Sequence, residues 1–129
     1  MSQQLTTLTK TFITSGTTVT ANRVVKFTGT AVTLWDTVTA YPIGIAQYTA
    51  DPSTTVEVVL LGTCKAVSET ATTVGDVLTI ATNGSITPKL STAYTHTSGI
   101  KTIGLALETT PATGATIEIF FNRESGVQA

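Results

Sequence analysis

Residues 55–62, TVEVVLLG, and residues 116–122, TIEIFFN, are nearly the same strand written twice. Each begins with Thr, a β-branched residue, Glu and a second β-branched residue, and then runs on apolar. Apolar/polar alternation over the first four residues is the signature of a strand with one buried face. Val56 and Val58 should therefore face a core and Glu57 should face away from it. From Val59 to Leu61 the alternation stops, and it stops again at Ile119, Phe120 and Phe121. A strand that is apolar on both faces has to be covered on both. The second cover is either internal or a partner surface, and Val59, Leu61 and Phe120 are candidate contacts for a partner.

The duplication extends outward from these strands. IGIAQYTADPSTTVEV, from Ile43, matches IGLALETTPATGATIEI, from Ile103, with one residue inserted in the turn. Upstream, RVVKFTGTAVT, from Arg23, parallels DVLTIATNGSIT, from Asp76. Each half reads as hairpin, loop, IG-hydrophobic-A strand, turn and Glu-bearing strand. An ordered series of matches of this kind points to a duplicated β unit.

Turn chemistry divides the rest of the chain into short strands. They are expected near residues 23–28, 31–35, 43–48, 54–61, 77–81, 85–87, 103–107 and 115–122. Asn83-Gly84 is a tight hairpin signal. Gly62 permits a bulge or bend in a strand that continues to about Val67. Helical signals are nearly absent. Residues 1–16 read as a polar N-terminal arm that ends at Ser15-Gly16, residues 17–122 as the β domain, and residues 123–129 as a frayed tail. Leu5, Leu8, Phe12 and Ile13 are spaced along the arm and could anchor it to a neighbour. On that reading, removing residues 1–14 weakens association and leaves the core folded. The expected fold is all-β, a small antiparallel β-barrel or sandwich with an extended N-terminal arm and an internal pseudo-repeat.

Composition narrows the function. Charged residues are 12% of the 129, apolar residues 41%, and the net charge is −1. Thr supplies about a quarter of the chain, so the surface is wetted by hydroxyls rather than by charge. Lys and Arg are few and scattered, which argues against nucleic acid as a partner. No stretch approaches the ~20 apolar residues of a membrane helix, and the first residues carry no apolar signal region. Synthesis in a cytoplasm and no membrane partner are expected. Cys64 is the one cysteine and reads as a small core hydrophobe.

Few residues suggest chemistry. His96, in the loop TAYTHTSG, has no second His or Cys near it in sequence, so no zinc ligand set is present. Ser98 and His96 lie in no nucleophile motif. Glu57 and Glu118 are repeat partners, and two carboxylates facing one cleft would suit a glycosidase. Mid-strand Glu residues between β-branched neighbours more simply face solvent. A carbohydrate-binding cleft would need Trp35, Tyr41, Tyr48 or Tyr94 in its lining. No enzyme activity, cofactor or metal is expected.

Residues 19–121 resemble the bacteriophage capsid decoration, or cement, proteins. The pattern is P-IG-hydrophobic-A at residues 42–46, β-x-β-x-x-x-G at 56–62, VGD-β-β at 74–78 and NG-x-β-T at 83–87. It closes with IG-hydrophobic-A and β-x-β from Ile103 onward. The resemblance implies a structural β protein on the outside of an assembled phage head. There it would bind the major capsid protein, bridge neighbouring capsid subunits and self-associate, often as a trimer. A virion tail or fibre module, or a receptor- or carbohydrate-binding β module, is the alternative.

Overall fold

The computed structural model describes residues 7–35, 42–88, 102–111 and 113–122. The described residues form nine strands: β1 (Leu8–Ile13), β2 (Val24–Thr28), β3 (Ala31–Leu34), β4 (Gly44–Ala46), β5 (Thr55–Val67), β6 (Val77–Ile80), β7 (Ile86–Pro88), β8 (Thr102–Ala106) and β9 (Thr116–Phe121). All strand pairs are antiparallel, in the order β3-β2-β4-β5-β9-β8-β6-β7, with β1 also on β5. The fold is all-β, as the alternation and turn chemistry require. The expected surface loop at 91–99 and the tail at 123–129 lie outside the described residues.

The sheet order reads the same from both ends, because the chain is two copies of one unit joined through β5. In the first unit β2 pairs β3 and β4, and β4 pairs β5. In the second β6 pairs β7 and β8, and β8 pairs β9. The registers agree residue by residue. Ala46 stands opposite Val58 as Ala106 stands opposite Ile119. The loops agree too. Gln47 N–H donates to Glu57 O at 2.9 Å, and Leu107 N–H to Glu118 O at 2.9 Å. The bridge Val19–Ala50 has its counterpart in Thr72–Thr110. Two positive-φ positions coincide as well, Asn22 with Gly75 and Ser53 with Gly114.

The arm is part of this pattern. β1 pairs the first half of β5, from Leu8 opposite Leu61 to Ile13 opposite Thr55. The second half of β5 pairs β9, from Gly62 opposite Phe121 to Val67 opposite Thr116. Residues 62–67 are thus to the second unit what β1 is to the first. A parallel bridge then closes each unit on itself, Thr14 to Val32 in one and Ser68 to Ile86 in the other. Residues 8–61 and 62–121 are therefore two curled, half-closed barrels sharing one 13-residue strand. The bulge expected at Gly62 lies two residues earlier: β1 passes from Thr9–Val59 to Leu8–Leu61 and skips Leu60.

Each unit has its own interior. Val19, Val25, Val32, Ala46, Ala50, Val56 and Val58 fill the first, with Phe12, Leu34, Ile43 and Leu60 packed against them. The second is filled by Leu78, Ile86, Ala106, Ile117, Ile119 and Phe121 among others, and its cluster also includes Val24, Trp35, Ile45 and Val59 of the first unit. This explains the broken alternation. Val58 points into the core of its own unit, whereas Val59 points the other way, into the core that joins the two units. Both are fully buried.

Candidate interaction surface

The sequence-derived contact residues differ in exposure. Leu8 and Ile13 are more than half exposed, and Leu61, directly opposite Leu8, is 41% exposed. All three leave apolar surface open to solvent along β1 and the adjoining part of β5. Phe12 turns inward. Its ring meets that of Phe27 edge-on at 5.5 Å and 80°, with Lys10 Nζ 6.0 Å from the Phe12 ring centroid. Val59 is a correction: its second cover is supplied from inside the chain, so it presents nothing to a partner. Phe120, its counterpart on β9, is only half-buried and stands beside the exposed Leu105. Leu5 lies outside the described residues.

Sequence reasoning missed the exposed Phe27, Val74, Val77, Leu105 and Leu107. Each sits in or beside a strand and reads as core by residue type. The repeat gives each a matched position in the other unit but does not say which of the two is exposed.

The two repeat-related carboxylates do not converge. Glu57 accepts a hydrogen bond from the Thr9 hydroxyl at 3.0 Å, within its own unit. Glu118 stands opposite Lys65, and its backbone N–H donates to Glu108 Oε1 at 2.6 Å. Lys65 Nζ lies 3.6 Å from that same oxygen. Among the described residues, no three His, Cys, Asp or Glu side chains gather to hold a metal ion. Of the aromatic residues considered for a sugar cleft, Trp35 is buried in the joint core and Tyr48 is exposed. Tyr41 and Tyr94 lie outside the described residues, as does His96.

Cys64 points into the second unit's core. Burial pushes its thiol up from 9.0 to about 12, and the nearby Glu118 charge adds to the shift. A thiol held neutral in this way is a poor nucleophile. It also makes stability depend on pH. The folded pKa is raised, so the stabilisation is complete below pH 9 and is lost as pH climbs from about 9 toward about 12. Each pH unit in that window costs about 1.4 kcal/mol. Urea unfolding at pH 8 and pH 10.5 should therefore show wild type losing about 2 kcal/mol more than Cys64→Ala. Parallel losses in the two proteins would rule out the thiol as the titrating group.

The geometry offers apolar and hydroxyl-bearing side chains on the outer faces of two half-closed barrels. The profile of the phage cement protein family matches residues 2–120, nearly the whole chain. The chain belongs to that family. This cement protein is therefore a structural protein of a phage particle. In three dimensions it is similar to a crystal structure described as the head fiber gp8.5 N base in bacteriophage phi29, with a TM-score of 0.64. That likeness covers 91% of the cement protein and 95% of the other chain at 17% identity, so it concerns the fold alone. No curated protein matches the sequence.

Proposed function

We propose that this cement protein binds the outer surface of an assembled phage head and stabilises it by bridging neighbouring copies of the major capsid protein. It acts there as a homo-oligomer, with a trimer as the expected form. The observation that carries this reading is the family match across the two-unit fold, joined to apolar side chains on its outer faces. A ligand that binds the assembled shell in preference to free subunits stabilises assembly by mass action, by about 2.7 kcal/mol per site at a hundredfold excess over Kd. Many sites per shell multiply that gain.

Purified protein mixed with empty shells should co-sediment with them and raise their disruption temperature. Shells that neither retain the protein nor gain heat stability would refute the proposal. The likeness to a head fiber base favours one second reading, in which the double barrel seats a longer appendage at a few positions on the particle. Labelled protein on intact particles distinguishes the two, since decoration covers the head and an appendage base marks scattered points.

A further inference from the structure

The same row of apolar side chains occurs in both units, and only one copy of it is covered. In the first unit Val24, Ile45 and Val59 stand side by side across β2, β4 and β5. All three are fully buried in the joint core. The second unit lies directly on them. A Cβ at Gly84 would sit 2.6 Å from the Val24 carbonyl oxygen, Arg23 Nη1 donates to Asn83 O at 3.0 Å, and Val67 N–H donates to Asn22 O at 3.0 Å. The matched row in the second unit is Val77, Leu105 and Phe120, side by side across β6, β8 and β9. Val77 and Leu105 are 43% and 41% exposed, and Val74 and Leu107 extend the exposed apolar surface nearby.

A two-fold relation between the units would bring the same row from each to their contact and bury both alike. One row buried and the other exposed means that the units pack head to tail. Such packing leaves one face of each kind free. On the second unit the free face is the row. On the first it is the end of the β2–β3 hairpin, the counterpart of the turn through Asn83 and Gly84 that lies on Val24. That end is open: a Cβ at Gly29 would meet nothing within 4 Å, and Phe27 is 49% exposed, whereas its counterpart Ile80 is buried in the joint core.

We propose that the Val77–Leu105–Phe120 row seats the β2–β3 hairpin end of a second copy of this chain, led by Phe27. Copies then follow one another as the two units within each copy do. Charged groups flank both faces, with Lys65 opposite Glu118 at the row. Glu118 lies on the row's side of β9, two residues from Phe120, and Lys10 lies over the Phe12 ring that packs on Phe27. This deepens the self-association in the reading above by naming its two faces, and it does not depend on the shell.

Sedimentation of the full chain over a range of concentrations tests it. Wild type should associate, and Leu105→Arg and Phe27→Arg should each weaken association at least tenfold. Both positions are exposed, so melting should stay near wild type. Should either arginine variant misfold, Leu105→Ser and Phe27→Ser replace them. An equal mixture of the two variants should form dimers and nothing larger, because one intact row then meets one intact hairpin end. A wild-type chain that stays monomeric throughout, or association unmoved by both variants, overturns the inference. Shell co-sedimentation run alongside reports separately on decoration, since monomers that still bind shells leave that reading standing.

Discussion

Alanine at Gly104 should unfold the second unit, at a cost above about 4 kcal/mol, although it adds a single methyl group. A Cβ there would lie 1.8 Å from the Phe120 carbonyl oxygen and 2.9 Å from the adjoining carbonyl carbon. Those atoms belong to the ladder between β8 and β9, so no side-chain rotation relieves the clash. Gly104 also has φ of +152°, a region that L-residues avoid. The matched Gly44→Ala should fail for a narrower reason. Its backbone is ordinary, but a Cβ would lie 2.2 Å from the Val59 carbonyl oxygen and 2.4 Å from Val58 Cγ1. Gly16→Ala is the control, with nothing within 4 Å, and should stay within about 0.5 kcal/mol of wild type. Urea titration of the three variants reads the order directly. A Gly104→Ala protein within about 1 kcal/mol of wild type would show that β8 does not pass β9 this closely.

The two glycines also explain what could be read in the sequence. IGIA and IGLA stand out because each Gly holds a place where one strand crosses close over its neighbour, and no other residue fits. TVEV and TIEI stand out because both end strands alternate in the same register. Asn83 and Gly84 both adopt positive φ, as their turn chemistry implies. These signals are local, and local chemistry was sufficient for the fold class, most strand positions and the duplication.

What was not legible is long-range. LTKTFIT and GTCKAVS occupy the same place in the two units, yet they share little more than Thr at Thr9 and Thr63, a β-branched aliphatic residue at Ile13 and Val67 and a hydroxyl at Thr14 and Ser68. The arm therefore reads as loose when it is the first strand of a unit. Val59 and Phe120 are matched apolar residues on matched strands, and no local pattern separates them. Their different burial follows from how one unit sits on the other, which depends on contacts such as Asn22 with Val67 that lie far apart in the chain. The candidate surface was thus half legible: Leu8, Ile13 and Leu61 from spacing, and Val77, Leu105 and Phe27 only from the packing of the units.

Removing residues 1–14 should dismantle the first unit and leave the second. This reverses the expectation that the arm can be cut away from a folded core. β1 supplies the ladder for Thr55 to Leu61, and its loss leaves that edge of β5 unpaired. Phe12 packs against the unit's interior, and losing a core Phe costs about 3–5 kcal/mol when fully buried. Thr14 ties the end of the arm down. Its hydroxyl donates to Asp51 O at 2.6 Å and accepts from Thr54 N–H at 2.9 Å. Together these losses rival the whole stability of a small domain, about 5–15 kcal/mol. The second unit keeps its own first strand, residues 62–67. Hydrogen exchange on the truncated chain should therefore show β2, β3 and β4 unprotected and β6, β8 and β9 slower, though less protected than in wild type because Val24, Trp35, Ile45 and Val59 belong to the core the units share. Native protection throughout would mean that the arm contributes no structure. The double variant Leu8→Ser/Ile13→Ser isolates the other role proposed for the arm. Both side chains are exposed, so exchange should match wild type, and any loss of shell binding then belongs to the contact itself.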